Sequence, residues 1–148
     1  MRSGVYLEIK SIHILPPQPA EGATDFSVYA QIFIGEVGDD GRDSFDVRCL
    51  SPSMLAEAYG PEAWDDEEAL PGGRVIPLAG VWIMKSWSYL AFQDAAQRLV
   101  SACNPGPDFG SVASRIGRFA PWEFDYRFDN QTNAAAGLPE PPPFWHDD

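Results

Sequence analysis

The residue types that could do chemistry crowd into residues 34–52, IGEVGDDGRDSFDVRCLSP, where three glycines and three aspartates fall between positions 35 and 43. Such a crowd can be a calcium loop, a phosphate cradle or a long hairpin turn. An EF-hand loop places acids at alternate positions, then a glycine, then a closing glutamate. Here Asp39 and Asp40 are adjacent, Gly41 follows at once, and no glutamate closes the loop. A phosphate loop needs Lys-Ser/Thr after its glycines and a helix opening behind them, and neither is present. Glycine for positive φ and aspartate for turn hydrogen bonds account for the composition. The stretch is therefore expected to be a turn.

The other chemical candidates are sparse. His13 falls at the end of an apolar run and His146 in the tail. Neither has the i, i+4 partner or cysteine neighbour of a zinc site. Cys49 could act as a nucleophile with a distant histidine, but its segment is patterned like core, where a thiol is inert. Carboxylate pairs for acid–base work abound, as in any acidic protein, and so discriminate nothing. No nucleophile elbow or dinucleotide fingerprint occurs. The expectation is a protein without catalysis, metal or cofactor.

The elements that must position these residues follow from periodicity. VYLEIKSIHI alternates and reads as a first strand from about Val5 to Ile14, ended by the prolines of PPQPAEGAT. DFSVYAQIFI places Phe26, Val28, Ala30, Ile32 and Ile34 on one face, with Tyr29, Gln31 and Phe33 opposite. DSFDVRCL places Phe45, Val47 and Cys49 on one face, with Asp46 and Arg48 opposite. Two period-2 runs joined by a glycine-rich connector make a β-hairpin. Ser51-Pro52 then reads as an N-cap and first helical position, opening a short helix that ends near Gly60. GVWIMKSW reads as another strand, its apolar character pointing to the sheet interior. Ser88 caps a helix carrying Phe92, Ala95, Ala96, Leu99, Val100 and Cys103 at helical spacing, and NPGPD breaks it. A second helix carries Phe109, Val112, Ile116 and Phe119, and WEFDYRF could be a last strand. Strands first and helices after predict an α+β fold: a mostly antiparallel sheet with helices packed on one face, a two-layer sandwich. Residues 1–128 form the expected domain, and 129–148 a Pro-rich C-terminal tail.

The bulk properties agree. A chain of 148 residues with 45% hydrophobic and 13% aromatic residues can bury a core of its own. Two cysteines, far apart in apolar segments, read as reduced core residues. The opening MRSGVYLEIK has no apolar run behind Arg2, and no apolar stretch approaches the roughly 18 residues of a membrane span. A cytoplasmic protein is expected. Twenty-two acidic residues against 10 basic ones leave a net charge of −12, which repels nucleic acid and anionic membrane and attracts a basic partner.

The acids are clustered. PEAWDDEEALPG holds Glu62, Asp65, Asp66, Glu67 and Glu68 around Trp64 with no basic residue, and the hairpin adds Glu36, Asp39, Asp40 and Asp43 against Arg42. Near the C-terminus Glu123, Asp125 and Asp129 alternate with Trp122, Phe124, Tyr126 and Phe128. Aromatic anchors among acids suit a site for a basic protein, the rings giving contact area and the acids steering. The plainer alternative is a solvated acidic loop and a half-buried strand. Binding is favoured for Glu62, Trp64, Asp65, Asp66, Glu67 and Glu68, with Asp39 and Asp40 beside them. Core packing is favoured for 122–128 on its period.

DFSVYAQIFIGEVGDDGRDSFDVRCLSPSMLAE resembles the motif of the immunity protein 8 family, bacterial antitoxins of polymorphic toxin systems. The matching positions are Phe26, Ile34, Gly35, Gly38, Gly41, Ser44, Phe45, Val47, Cys49, Ser51, Pro52 and Leu55. PWEFDY is similar to the aromatic-acidic close of that pattern, and VWIMKSW stands where the family's central strand is expected. The resemblance spans roughly residues 5–128. It departs where the family often has Trp after Ser/Thr-Pro and this chain has Ser53 and Met54, and segment 61–79 has no placed counterpart. The resemblance implies a non-enzymatic protein that binds and neutralises a cognate toxin, with no catalytic residues to carry over. Two rivals stand beside it: an acidic secretion chaperone or adaptor for an effector protein, and an enzyme with an unrecognised site.

Overall fold

The computed structural model describes residues 4–60 and 78–124. In chain order these form β1 (Leu7–Ile14), β2 (Ser27–Glu36), β3 (Asp43–Leu50), α1 (Pro52–Ala58), β4 (Val81–Ile83), α2 (Tyr89–Cys103) and α3 (Phe109–Ile116). The sheet order is β1-β2-β3-β4. The first two pairings are antiparallel and β3–β4 is parallel. The expected α+β sandwich is present.

Side-chain parity builds its core. Val28, Ala30, Ile32 and Ile34 of β2 and Phe45, Val47 and Cys49 of β3 are all buried on one face. α2 covers that face with Phe92, Ala96, Val100 and Cys103, and α3 with Val112, Ala113 and Ile116. In β1 the apolar set changes parity, from Leu7 and Ile9 to Ile12 and Ile14. A β-bulge between Ile9 and Ser11 absorbs the change, pairing Ile9 with Ile34 and Ile12 with Ile32. One extra residue, Lys10, keeps both halves of the strand facing the core.

The helix starts follow the expected caps. The Oγ atoms of Ser51 and Ser88 accept from Met54 N and Ala91 N, and Asp108 accepts from Ser111 N. Ser51 is wholly buried and also fastens β2 to α1, since its Oγ accepts from Phe26 N at 3.0 Å.

Three expectations are corrected. The strand in GVWIMKSW is only three residues long and lies at the end of the described sheet, with Ile83 57% exposed. Its apolar character has another source. The chain turns after Ile83, and Trp87 enters the core between Phe26 and Phe92, with ring centroids 5.6 and 5.8 Å away. Backbone bonds from Trp87 N to Ala23 O and from Gly22 N to Trp87 O hold it there. On α2, Ala95 is exposed while Ala96 is buried, so the core-facing stripe is narrower than the spacing suggested. Phe119 falls beyond the end of α3 and is exposed.

Candidate partner-binding surface

The β2–β3 connector is a turn, and its composition has specific causes. Gly35 lies under the returning chain: a Cβ built on it would sit 1.9 Å from the carbonyl oxygen of Gly41. Gly38 adopts φ +85°, the left-handed region that glycine occupies without strain. The Oδ1 of Asp39 accepts from Gly41 N at 3.1 Å, closing an Asx turn. Glu8, on the neighbouring strand, accepts from the Lys10 ammonium at 2.8 Å. That bond, aided by the Gly38 N–H, holds its carboxyl below the usual range.

The remaining chemical candidates separate by burial. Cys49 is buried, and desolvation pushes its thiol up to about 11, so it carries no thiolate near neutral pH. The Cys103 thiol is raised for the same reason. His13 is exposed on β1, and His146 lies outside the described residues. Among the described residues no three His, Cys, Asp or Glu side chains converge as a metal site would require.

The fold brings together two acidic segments that are far apart in the chain. Residues 121–123 run antiparallel along the first half of β3, beside the stretch that β4 covers. Asp46 N donates to Pro121 O, and Glu123 N to Ser44 O. Phe45 and Trp122 are bridge partners. The side chains reinforce this seam across 79 residues of sequence: Ser44 N donates to Glu123 Oε1 at 2.7 Å, and Trp122 Nε1 to Asp43 Oδ2 at 2.9 Å. Trp122 stacks on buried Phe45 at 6.2 Å and touches Phe109, at the head of α3, at 6.1 Å. Phe124 stands edge-on to Trp122 at 6.2 Å and is 52% exposed. The rings thus run from the core out to the surface.

Beside this row the connector and α3 enclose a shallow, open depression of about 230 Å³ lined by Glu36, Asp39, Gly41, Arg42, Asp43 and Phe109. Asp39 and Asp40 are both exposed there, as is Glu36. Four carboxylates, at Glu36, Asp39, Asp40 and Asp43, face the single guanidinium of Arg42. The two ion pairs among the described residues, Lys10–Glu8 and Arg98–Asp94, use none of them. Glu62, Trp64, Asp65, Asp66, Glu67 and Glu68 lie outside the described residues, as do Asp125 and all that follows.

Sequence reasoning treated the connector and 122–128 as separate clusters and gave Phe109 only a helical role. Pairing of 121–123 with β3 joins them, and no local periodicity signals that contact. The expected core packing of 122–128 describes Pro121 and Trp122, which are buried and half-buried, but not Glu123 and Phe124, which are exposed.

A family model described as Immunity protein 8 matches residues 7–126 of the chain. Comparison with the curated proteins and with the solved structures gives no match.

Proposed function

Because the chain belongs to the immunity protein 8 family, and so is an immunity protein for a toxin system, we propose that it binds and neutralises a cognate bacterial toxin through an acidic, aromatic-containing surface, without catalysis of its own. The family match over most of the chain carries the reading. The exposed carboxylates of the β2–β3 connector support its electrostatic part, because a net charge of −12 steers a basic protein inward and disfavours nucleic acid and anionic lipid. The burial of Cys49 supports a role by contact rather than by covalent chemistry. Residues 62–68 enter the same reading on composition, as an acidic segment with one tryptophan at its centre. No helix among the described residues is long and apolar enough to cross a membrane, which is compatible with meeting a toxin in solution.

The test uses the toxin encoded beside this protein. Co-expression should rescue cells from that toxin, and the two purified proteins should form a complex measurable by calorimetry. Absence of both rescue and complex would rule the reading out.

A further inference from the structure

The proposed function names a class of partner but not where that partner sits. We infer that the row Phe109, Trp122 and Phe124, with the acidic rim of the β2–β3 connector, is the docking surface for an arginine-bearing face of the toxin; this rests on the immunity reading above.

Three observations carry the inference. First, an exposed aromatic ring stands at the end of a fixed row. Phe124 is 52% exposed, yet it rests on Trp122, which Phe45, Phe109 and Asp43 hold in place. Little ordering is then left to occur on binding. Second, Glu36, Asp39, Asp40 and Asp43 surround the adjoining depression without an ion pair to any described cation. The rim therefore keeps an excess of negative charge for a partner to neutralise. Third, the depression of about 230 Å³ is smaller than the roughly 300–1,000 Å³ of small-molecule sites. Its scale suits a protruding side chain rather than a cofactor.

Charge complementarity selects a basic occupant, and the rings select arginine over lysine. A guanidinium is flat, weakly hydrated and able to lie on an aromatic face while its edge donates to a carboxylate. An ammonium meets only the charge requirement.

The experiment measures association and dissociation of the neighbouring toxin with the full chain and three variants. Phe124→Ala should weaken binding about tenfold, mainly through faster dissociation. Asp39→Lys with Asp40→Lys should slow association about tenfold. Glu57→Lys with Asp94→Lys makes the same charge change on exposed faces of α1 and α2 and should alter association less than about threefold. All these positions are exposed, so thermal unfolding should stay close to wild type. Hydrogen exchange on the complex should show protection at 36–43 and 122–124. If the toxin binds but the first two variants match wild type, or the α1/α2 pair slows association equally, this surface is wrong while the immunity reading stands. If the wild-type chain does not bind the toxin, both fall together.

Discussion

Gly35 has no room for a side chain. The Gly41 carbonyl, oxygen and carbon alike, would lie within 3.0 Å of an added Cβ, and both atoms are backbone. Alanine there must displace the returning connector, which in turn presents Asp39 and Asp40. Gly38 is constrained differently: its φ is +85°, but nothing lies within 4 Å of its would-be Cβ. Gly38→Ala should therefore cost about 1 kcal/mol, the ordinary left-handed penalty. Gly35→Ala should cost about 3 kcal/mol, as overpacking against backbone does. Urea denaturation of the two variants compares them directly. A larger loss at Gly38 would mean that the close approach of Gly41 is not the governing constraint.

At the scale of elements, α2 shows how a helix earns only part of its apolar stripe. Its spacing marks six apolar positions, but the helix meets the sheet along Phe92, Ala96, Val100 and Cys103, and Ala95 faces outward. Alanine sits at the border of either face with little preference, so its type does not report which side it takes. Ala96→Lys would carry an ammonium into the core and should destabilise by about 3 kcal/mol or more. Ala95→Lys should stay within about 0.5 kcal/mol of wild type. Thermal melts separate the cases, and equal effects would contradict the placement of α2. β4 teaches the same lesson in reverse. VWIMKSW is apolar because two different contacts, a short parallel pairing and the burial of Trp87, follow each other within seven residues.

For the whole molecule the governing quantity is charge. A chain at −12 approaching a basic toxin should associate quickly at low salt and more slowly as counter-ions screen the field. The association rate should fall roughly tenfold between about 50 and 500 mM salt, with dissociation changing far less. Stopped-flow measurement at several salt concentrations checks this. An association rate indifferent to salt would remove electrostatic steering and leave the aromatic row to account for binding alone.

The sequence by itself determined the hairpin, its glycine-rich turn, the three helix caps and the family. Those features rest on local chemistry: period-2 burial on β2 and β3, the hydroxyls of Ser51 and Ser88, and the short carboxylate of Asp108. It also marked Asp39 and Asp40 as surface acids, which they are. Only the tertiary structure decided that residues 121–124 lie against β3, and so that Asp43, Glu123, Trp122, Phe124 and Phe109 share one surface with the connector. The reason is physical. A turn or a cap is specified by neighbours a few residues away, whereas the seam between β3 and 121–123 forms only when both have been placed by the same core. Gly35 lies between these cases. Its identity is plain in the chain, but the atom that forbids a side chain there, the Gly41 carbonyl oxygen, arrives only when the connector folds back.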